Sequence, residues 1–316
     1  MKTGALDIGG TKIEARLFDE GMQPLASRRL PTPREGFDAF ADAVVEQIGW
    51  LDAQAGARVA VGISIAGVVD PATGEAVAAN LPTSGHRIAQ ELGARAGRDL
   101  AVLNDCMAFT WSEANGGAAD GAAAAVGMIL GTGISAGLCL DGRLPHRHAG
   151  LAVEIGHVGM PARALARWDL LPEPCGCGRT GCIEAHLAGP GLSRLALRRL
   201  GRAMTGQEIA AGLSAGDPGA GEVFGIWADL AGEVLFTIQM MLDPQVIVLG
   251  GGLSQLPGLV PALQDAMAAR RMGTVPLPRL ALARHGDASG ARGAALVARA
   301  AAEGAAGARP LGSRRD

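Results

Sequence analysis

The stretch Gly4-Ala5-Leu6-Asp7-Ile8-Gly9-Gly10-Thr11-Lys12-Ile13-Glu14-Ala15-Arg16-Leu17-Phe18, residues 4–18, decides the fold. Its apolar start (Ala5, Leu6, Ile8) reads as a strand and Gly9-Gly10 as a turn. The alternation of Ile13, Ala15 and Leu17 with Glu14 and Arg16 then reads as a second strand. Residues 24–30 supply a third, so the chain opens on a meander. After the Pro31-Thr32-Pro33 break, Phe37, Phe40, Ala41, Val44, Val45, Ile48 and Leu51 share one helical face. Residues 59–69 form the near-continuous apolar run expected of a central strand covered on both faces. Residues 88–96 and 101–105 repeat helix then strand, which is an α/β pattern.

Outward from this core, 316 residues with 48% hydrophobic and 19% charged content predict two domains. The 48 Gly, the 26 Arg against two Lys, the three Asn and the absence of Tyr resemble a GC-rich coding bias. Most Gly and Ala are therefore expected to carry no message, whereas a surviving Lys or Asn marks chemistry that Arg or Gln cannot do. A net charge of −3 without a basic stripe excludes a nucleic-acid footprint. Five Cys behind a start with neither a basic nor an apolar leader point to the cytoplasm. The uncharged run 121–140 is long enough to span a bilayer. Gly at 121, 127, 131, 133 and 137 would weaken such a helix by ~1 kcal/mol each, so it reads as two buried strands and no membrane partner is expected.

Residues 142–191 read as irregular. Beyond them Thr205 and Glu208 have capping-box spacing, and Asp217-Pro218 starts a helix striped by Phe224, Trp227, Ala228, Ala231, Leu235, Ile238 and Leu242. Residues 246–249 are a short buried strand, 289–303 a final helix, and 304–316 a frayed tail. The expected lobes are 1–117 plus 289–303, and 118–288.

Five constellations carry chemistry. Asp7, Gly9, Gly10, Thr11 and Lys12 sit at a strand-to-strand turn that is either an ordinary hairpin or a phosphate cradle, with Asp7 able to hold a metal through water. Gly131-Thr132-Gly133 and Gly250-Gly251-Gly252 each follow an apolar strand. A nucleotide held between two lobes would touch one turn for each phosphate and a third for the base. The literal G-x-G-x-x-G at 176–181 follows no strand and is discarded. Cys175, Cys177 and Cys182 with His157 upstream offer tetrahedral zinc ligation, favoured over free thiols or a disulfide because C-x-C bridges poorly and the cytosol is reducing. Asn104-Asp105 ends an apolar strand, where a carboxylate either accepts a substrate proton or caps the next helix. Asn80 also ends a strand, and Glu154 and Glu184 bracket the zinc ligands as hydrogen-bond acceptors.

Together these motifs resemble the ROK family of sugar kinases, within the actin-like ATPase superfamily. The resemblance runs through DIGGTK (7–12), GISIAGVVD (62–70), LNDCMAF (103–109), ILGTGISAG (129–137), EIGHVG (154–159), CGCGRTGCIEA (175–185), VIVLGGGLS (246–254) and GDASGARGAA (286–295). It implies a two-lobed α/β fold of the actin-like ATPase (ribonuclease H-like) type, with a ligand cleft between the lobes and a zinc-binding loop. It implies Asp105 as general base toward a sugar 6-hydroxyl, with Asn104, Glu154, His157 and Glu184 on sugar hydroxyls and Gly67 and Asn80 lining the pocket. Asp7, Gly9, Gly10, Thr11, Lys12, Gly131, Thr132 and Gly133 would hold the phosphates of ATP and Mg²⁺, and Gly250, Gly251 and Gly252 the adenosine. A structural Zn²⁺ on His157, Cys175, Cys177 and Cys182 would orient the imidazole. Relatives of this type often form homodimers.

Residues 78–85, 31–34 and 186–189 look most like bacterial N-acetyl-D-glucosamine kinases, which implies phosphorylation of that sugar at O6. A glucokinase or fructokinase is the alternative within the family, and a sugar-sensing regulator without a DNA-binding domain, or a silent sugar binder, the alternative outside it. Two positions depart from the pattern: Val153 replaces a small residue, and Ser135-Ala136 a pair richer in Gly.

Overall fold

The computed structural model describes residues 1–304. The tail expected over 304–316 lies, Gly304 aside, outside the described residues. In chain order the elements are β1 (Thr3–Ile8), β2 (Lys12–Phe18), β3 (Pro24–Pro31), α1 (Phe37–Ala55), β4 (Ala60–Ile65), β5 (Val68–Val69), β6 (Ala76–Val77), α2 (Ile88–Ala96), β7 (Ala101–Asn104) and α3 (Asp105–Ala114). There follow β8 (Ala124–Leu130), β9 (Ile134–Leu140), α4 (Ala162–Arg167), α5 (Ile183–Leu187), α6 (Gly189–Leu200), α7 (Gly206–Ala215), α8 (Pro218–Leu242), β10 (Val246–Gly250), α9 (Leu259–Ala268), β11 (Arg279–Leu282) and α10 (Ser289–Ala302).

The chain divides into two compact units. The first holds Met1–Asn115, Arg143–Ala152 and the described residues from Ala288 on; the second holds Gly116–Gly142 and Val153–Asp287. The expected boundaries assign 143–152 to the second lobe. Gly150 explains its place in the first: its backbone, at φ +72, lies so close to the Val69 carbonyl that no Cβ fits between them.

In the first unit a five-stranded sheet runs in the order β3-β2-β1-β4-β7, with β1–β3 the predicted antiparallel meander and β4 and β7 parallel to β1. α1 buries Phe40, Ala41, Val44, Ile48 and Leu51 of its predicted stripe; Val45 is only half-buried, and the buried Gln47 donates to the Ile13 carbonyl (2.9 Å) instead. The apolar run 59–69 is not one strand. β4 stops at Ile65, and after Gly67, whose backbone lies against the Val77 carbonyl, the chain turns into the small antiparallel pair β5–β6. The pairing of α10 with β4 and α3 needs bare backbone: a Cβ on Gly62 would overlap the Ala294 carbonyl, and one on Gly293 the Ala108 carbonyl. These glycines, to which the sequence assigns no role, are fixed by packing.

The second unit is built on the sheet β11-β10-β8-β9. The apolar stretch 121–140 is the hairpin β8–β9, as its glycines indicated. Residues 142–191, read as irregular, contain α4, α5 and the start of α6, where Pro190 sits in the first turn. Thr205 and Glu208 close the capping box on α7, and Asp217 Oδ1 accepts from Gly219 and Ala220 N–H (2.7 and 3.2 Å) to start α8. α8 is long and apolar enough to cross a membrane, yet 67% of its most apolar window is buried within the fold. Its Trp227 donates to the Leu187 carbonyl (2.9 Å) in the centre of the core. Arg270, from the residues after α9, binds Asp229 (2.7 Å) and Glu233 (2.8 Å) on α8, and Arg163 of α4 reaches Glu233 (2.7 Å).

Candidate active site and metal centre

The proposed site residues fall into two groups, one in each unit. In the first, the β1–β2 turn is closed by Gly9 N–H donating to the Lys12 carbonyl (3.0 Å). Two residues without an expected site role fasten it. Thr32 Oγ1 donates to the Gly9 carbonyl (2.7 Å) and the Arg34 guanidinium to the Gly10 carbonyl (2.8 Å). Both belong to the Pro-Thr-Pro-Arg segment. Gly10 also packs on Asn80, whose Cβ would lie 3.0 Å from a Cβ added there. Lys12 Nζ stands 3.3 Å from the buried Glu14 carboxylate, which Arg16 and Arg29 share. Burial alone would push Glu14 up, but the hydrogen bond from Arg29 and the charges of Arg16 and Lys12 more than offset it and hold it below the usual carboxylate range.

Asp7 faces the first turn of α10, where a Cβ on Gly290 would lie 3.1 Å from its Oδ1. Ser64 Oγ donates to the same oxygen (2.8 Å). Burial raises the Asp7 pKa above the ordinary value, and Ser64 and Lys12 offset this only in part. A carboxyl in that condition gains from a nearby cation.

At the end of β7 the capping reading of Asn104-Asp105 is realised by Asn104. Asn104 is the cap: its Oδ1 accepts from Cys106 and Met107 N–H (2.9 and 3.2 Å), while its amide donates to the Gly67 carbonyl (3.0 Å). One amide N–H remains for a ligand. Asp105 is then the first residue of α3, half-buried, with Oδ1 accepting from Cys106 N–H (2.8 Å). Gly67 and Asn104 are thus joined, 37 residues apart in sequence.

In the second unit, one ligand atom each from His157, Cys175, Cys177 and Cys182 lies within 4.8 Å of all the others. Cys177 and Cys182 Sγ are 3.6 Å apart and unbonded, and Cys175 Sγ is 3.8 Å from His157 Nδ1. A tetrahedral zinc with Zn–S bonds of ~2.3 Å has ligand–ligand edges of roughly 3.8 Å, so the residues fit that ion. Burial and the neighbouring sulfurs push the Cys182 thiol up to about 12; a divalent cation among them reverses that preference. With Nδ1 turned to the cysteines, His157 keeps Nε2 for another partner. Cys106 and Cys139 are buried core residues, as predicted.

Glu184, on α5 just past Cys182, accepts from Ile134 N–H at Oε2 (3.0 Å), at the end of the 131–133 turn. Gly189 N–H donates to the Gly131 carbonyl (2.8 Å). The turn 250–252 lies alongside: Gly251, at φ +82, approaches the Leu130 carbonyl too closely for any side chain. The two glycine turns of this unit are therefore neighbours. Glu154 precedes the short 3-10 turn Ile155–His157 and accepts His157 N–H at its carbonyl (3.0 Å). The two departures noted in sequence are also neighbours, since Ala136 and Val153 exchange two backbone hydrogen bonds (3.1 and 2.8 Å).

A model of the ROK family matches residues 3–301. The chain belongs to the ROK family. It is 40% identical over 293 residues to N-acetylgalactosamine kinase AgaK of Shewanella sp. (strain ANA-3), covering 92% of this chain and 95% of that one. It is 38% identical over 294 residues to N-acetyl-D-glucosamine kinase of Shigella boydii serotype 4 (strain Sb227), covering 92% and 97%. Among solved structures, a ROK family glucokinase from Streptomyces griseus in complex with glucose and AMPPNP superposes with a TM-score of 0.81 at 28% identity, over 95% of this chain and 99% of that one. These relatives support a ROK sugar kinase, and the Cys₃His group able to hold zinc is seen in this structure.

Proposed function

We propose that the chain transfers the γ-phosphoryl group of ATP to O6 of N-acetyl-D-glucosamine. The observation that carries the chemistry is the division of labour at 104–105: Asn104 caps α3, so the carboxylate of Asp105 is not the helix cap. Asp105 takes the proton of the 6-hydroxyl as its oxygen attacks the γ-phosphorus. The bond to the β–γ bridging oxygen breaks and ADP leaves with that electron pair. Such transfers depend on positioning and charge stabilisation more than on covalent help from the protein.

Asn80, Asn104, Glu154, His157 and Glu184 would orient the sugar, as the family resemblance implies. The glycine turns, Thr11, Lys12 and Thr132 would hold the phosphates. Asp7 would hold Mg²⁺, which neutralises phosphate charge when bound. A zinc held by His157, Cys175, Cys177 and Cys182 would fix the His157 ring and leave Nε2 for a sugar hydroxyl. The use of ATP as phosphoryl donor supports a cytoplasmic setting.

The second reading is N-acetyl-D-galactosamine, favoured by the 40% identity to a kinase of that name. The two sugars differ only in the direction of one hydroxyl, at C4. Coupled ADP-release assays over both sugars, N-acetylmannosamine, glucose and fructose decide. The highest kcat/KM on N-acetylglucosamine is expected, and a preference for glucose or fructose refutes an amino-sugar site.

A further inference from the structure

The metal centre and the 131–133 turn are separate motifs in sequence, but within the second unit they share one residue. Ile134, the first residue after the turn, is gripped on both sides. Its N–H donates to Glu184 Oε2 (3.0 Å), and its carbonyl lies so close to Gly156 that a Cβ there would overlap it. Gly156 sits one residue before the zinc ligand His157, and Glu184 two residues after the zinc ligand Cys182. The segments are stitched to each other as Ile183 N–H donates to the Val158 carbonyl (2.9 Å). A third zinc ligand, Cys175, brings its Sγ within 4.0 Å of Glu184 Oε1. The turn itself has a single internal backbone bond, Gly131 N–H to the Gly133 carbonyl (3.0 Å), so its shape depends on these outside contacts. Space is also committed: a Cβ on Gly133 would come within 2.8 Å of Glu184 Oε2.

We propose that Glu184 is a positioning residue for the nucleotide: its carboxylate, held by the zinc-tied segments around it, clamps Ile134 and sets the 131–133 turn in the shape that receives phosphate. Oε2 serves the turn, and Oε1 is left for the sugar hydroxyl assigned to it above. The proposal rests on the reading of 131–133 as a phosphate turn. It predicts that zinc governs nucleotide affinity in the absence of sugar, a dependence that His157 orientation alone does not produce.

The test uses the full chain, with zinc content and circular dichroism recorded for each sample. Binding of AMPPNP with Mg²⁺ but without sugar is measured by calorimetry, and Ile134 amide exchange by NMR, in wild type, E184A, E184Q and G133A. In E184A the Ile134 amide loses its charged acceptor, so AMPPNP affinity falls about tenfold or more and Ile134 exchange accelerates by a similar factor. The Gln side chain in E184Q keeps an acceptor oxygen and stays within about threefold of wild type. Chelating the zinc reproduces the E184A result. Wild-type affinity and wild-type Ile134 protection in E184A overturn the proposal. If E184A does not fold, G133A displaces the carboxylate without touching a metal ligand and carries the same expectation. If the wild type does not bind AMPPNP at all, the nucleotide reading fails, and Ile134 exchange still decides whether Glu184 and zinc hold the turn.

Discussion

Removing the Asn104 side chain separates the cap from the chemistry. In Asn104→Ala, α3 loses the acceptor for Met107 N–H and one of the two acceptors of Cys106 N–H, Asp105 Oδ1 remaining, and the Gly67 carbonyl loses its donor. Loss of an N-cap costs about 1 kcal/mol, and a carbonyl deprived of its partner about 1–2 kcal/mol more. The sum, about 2–3 kcal/mol, lowers the melting temperature of a unit this size by about 5–10 °C. Asn104→Asp tests the parts separately: it keeps the cap acceptor but sets an oxygen against the Gly67 carbonyl, so it should fall between wild type and Asn104→Ala. Asp105→Asn is the control, because its amide oxygen can still accept from Cys106 N–H; it should be destabilised less than Asn104→Ala. Calorimetry of the three variants, paired with ADP-release rates, is the assay. The reasoning is refuted if Asn104→Ala melts within a degree or so of wild type, or if Asp105→Asn is destabilised as much as Asn104→Ala.

Further expectations follow from other parts of the structure. Burial alone would push Asp229 and Glu233 up, but hydrogen bonds from Arg270, Trp168 and Arg163 more than offset it and set both below their ordinary pKa. Their contribution to stability is therefore complete above the unfolded carboxylate range and lost as pH falls through the lower folded values; Glu233→Gln should flatten the acid limb of a melting-temperature profile. Arg270→Met leaves two largely buried carboxylates without their shared cation, and a loss of about 3 kcal/mol or more in denaturant titration is expected. Gly62→Ala forces a Cβ onto the Ala294 carbonyl and should abolish soluble folded protein, whereas Gly49→Ala, in the interior of α1 with open space around it, should stabilise by about 0.5–1 kcal/mol in the same titration. Metal analysis of protein purified without added metal should find about one zinc per chain, and Cys182→Ser should lose it; full activity in metal-free protein would contradict a structural zinc.

What the sequence disclosed was local. The alternation around Ile13, Ala15 and Leu17, the Asp217-Pro218 start and the Thr205–Glu208 box each act within a few residues, and each forms as read. The three-Cys spacing with His157 was legible for the same reason, because the ligand chemistry restricts the choices. Contacts across long separations were not. Nothing in the periodicity of 59–69 marks where Gly67 must pass the Val77 carbonyl, and nothing near Arg34 says that it holds Gly10. The glycine excess shows the limit best. Gly62 and Gly293 carry no assigned role in the segments that hold them, yet each is fixed by a carbonyl on a distant element, while Gly252, assigned to the adenosine, has open space where a Cβ would go. The residue types of Asn104-Asp105 alone could not say which one caps, since both cap helices; the bonds from Cys106 and Met107 N–H to Asn104 give the cap to Asn104.

The most direct measurement is ³¹P NMR of the product formed from ATP and N-acetyl-D-glucosamine by wild type and Asp105→Asn. The expected result is N-acetylglucosamine 6-phosphate from wild type, with a rate reduced about 10²–10⁴-fold in a variant that still binds the sugar. Absence of phosphoryl transfer by the zinc-loaded wild type, or an unchanged rate in Asp105→Asn, would contradict it.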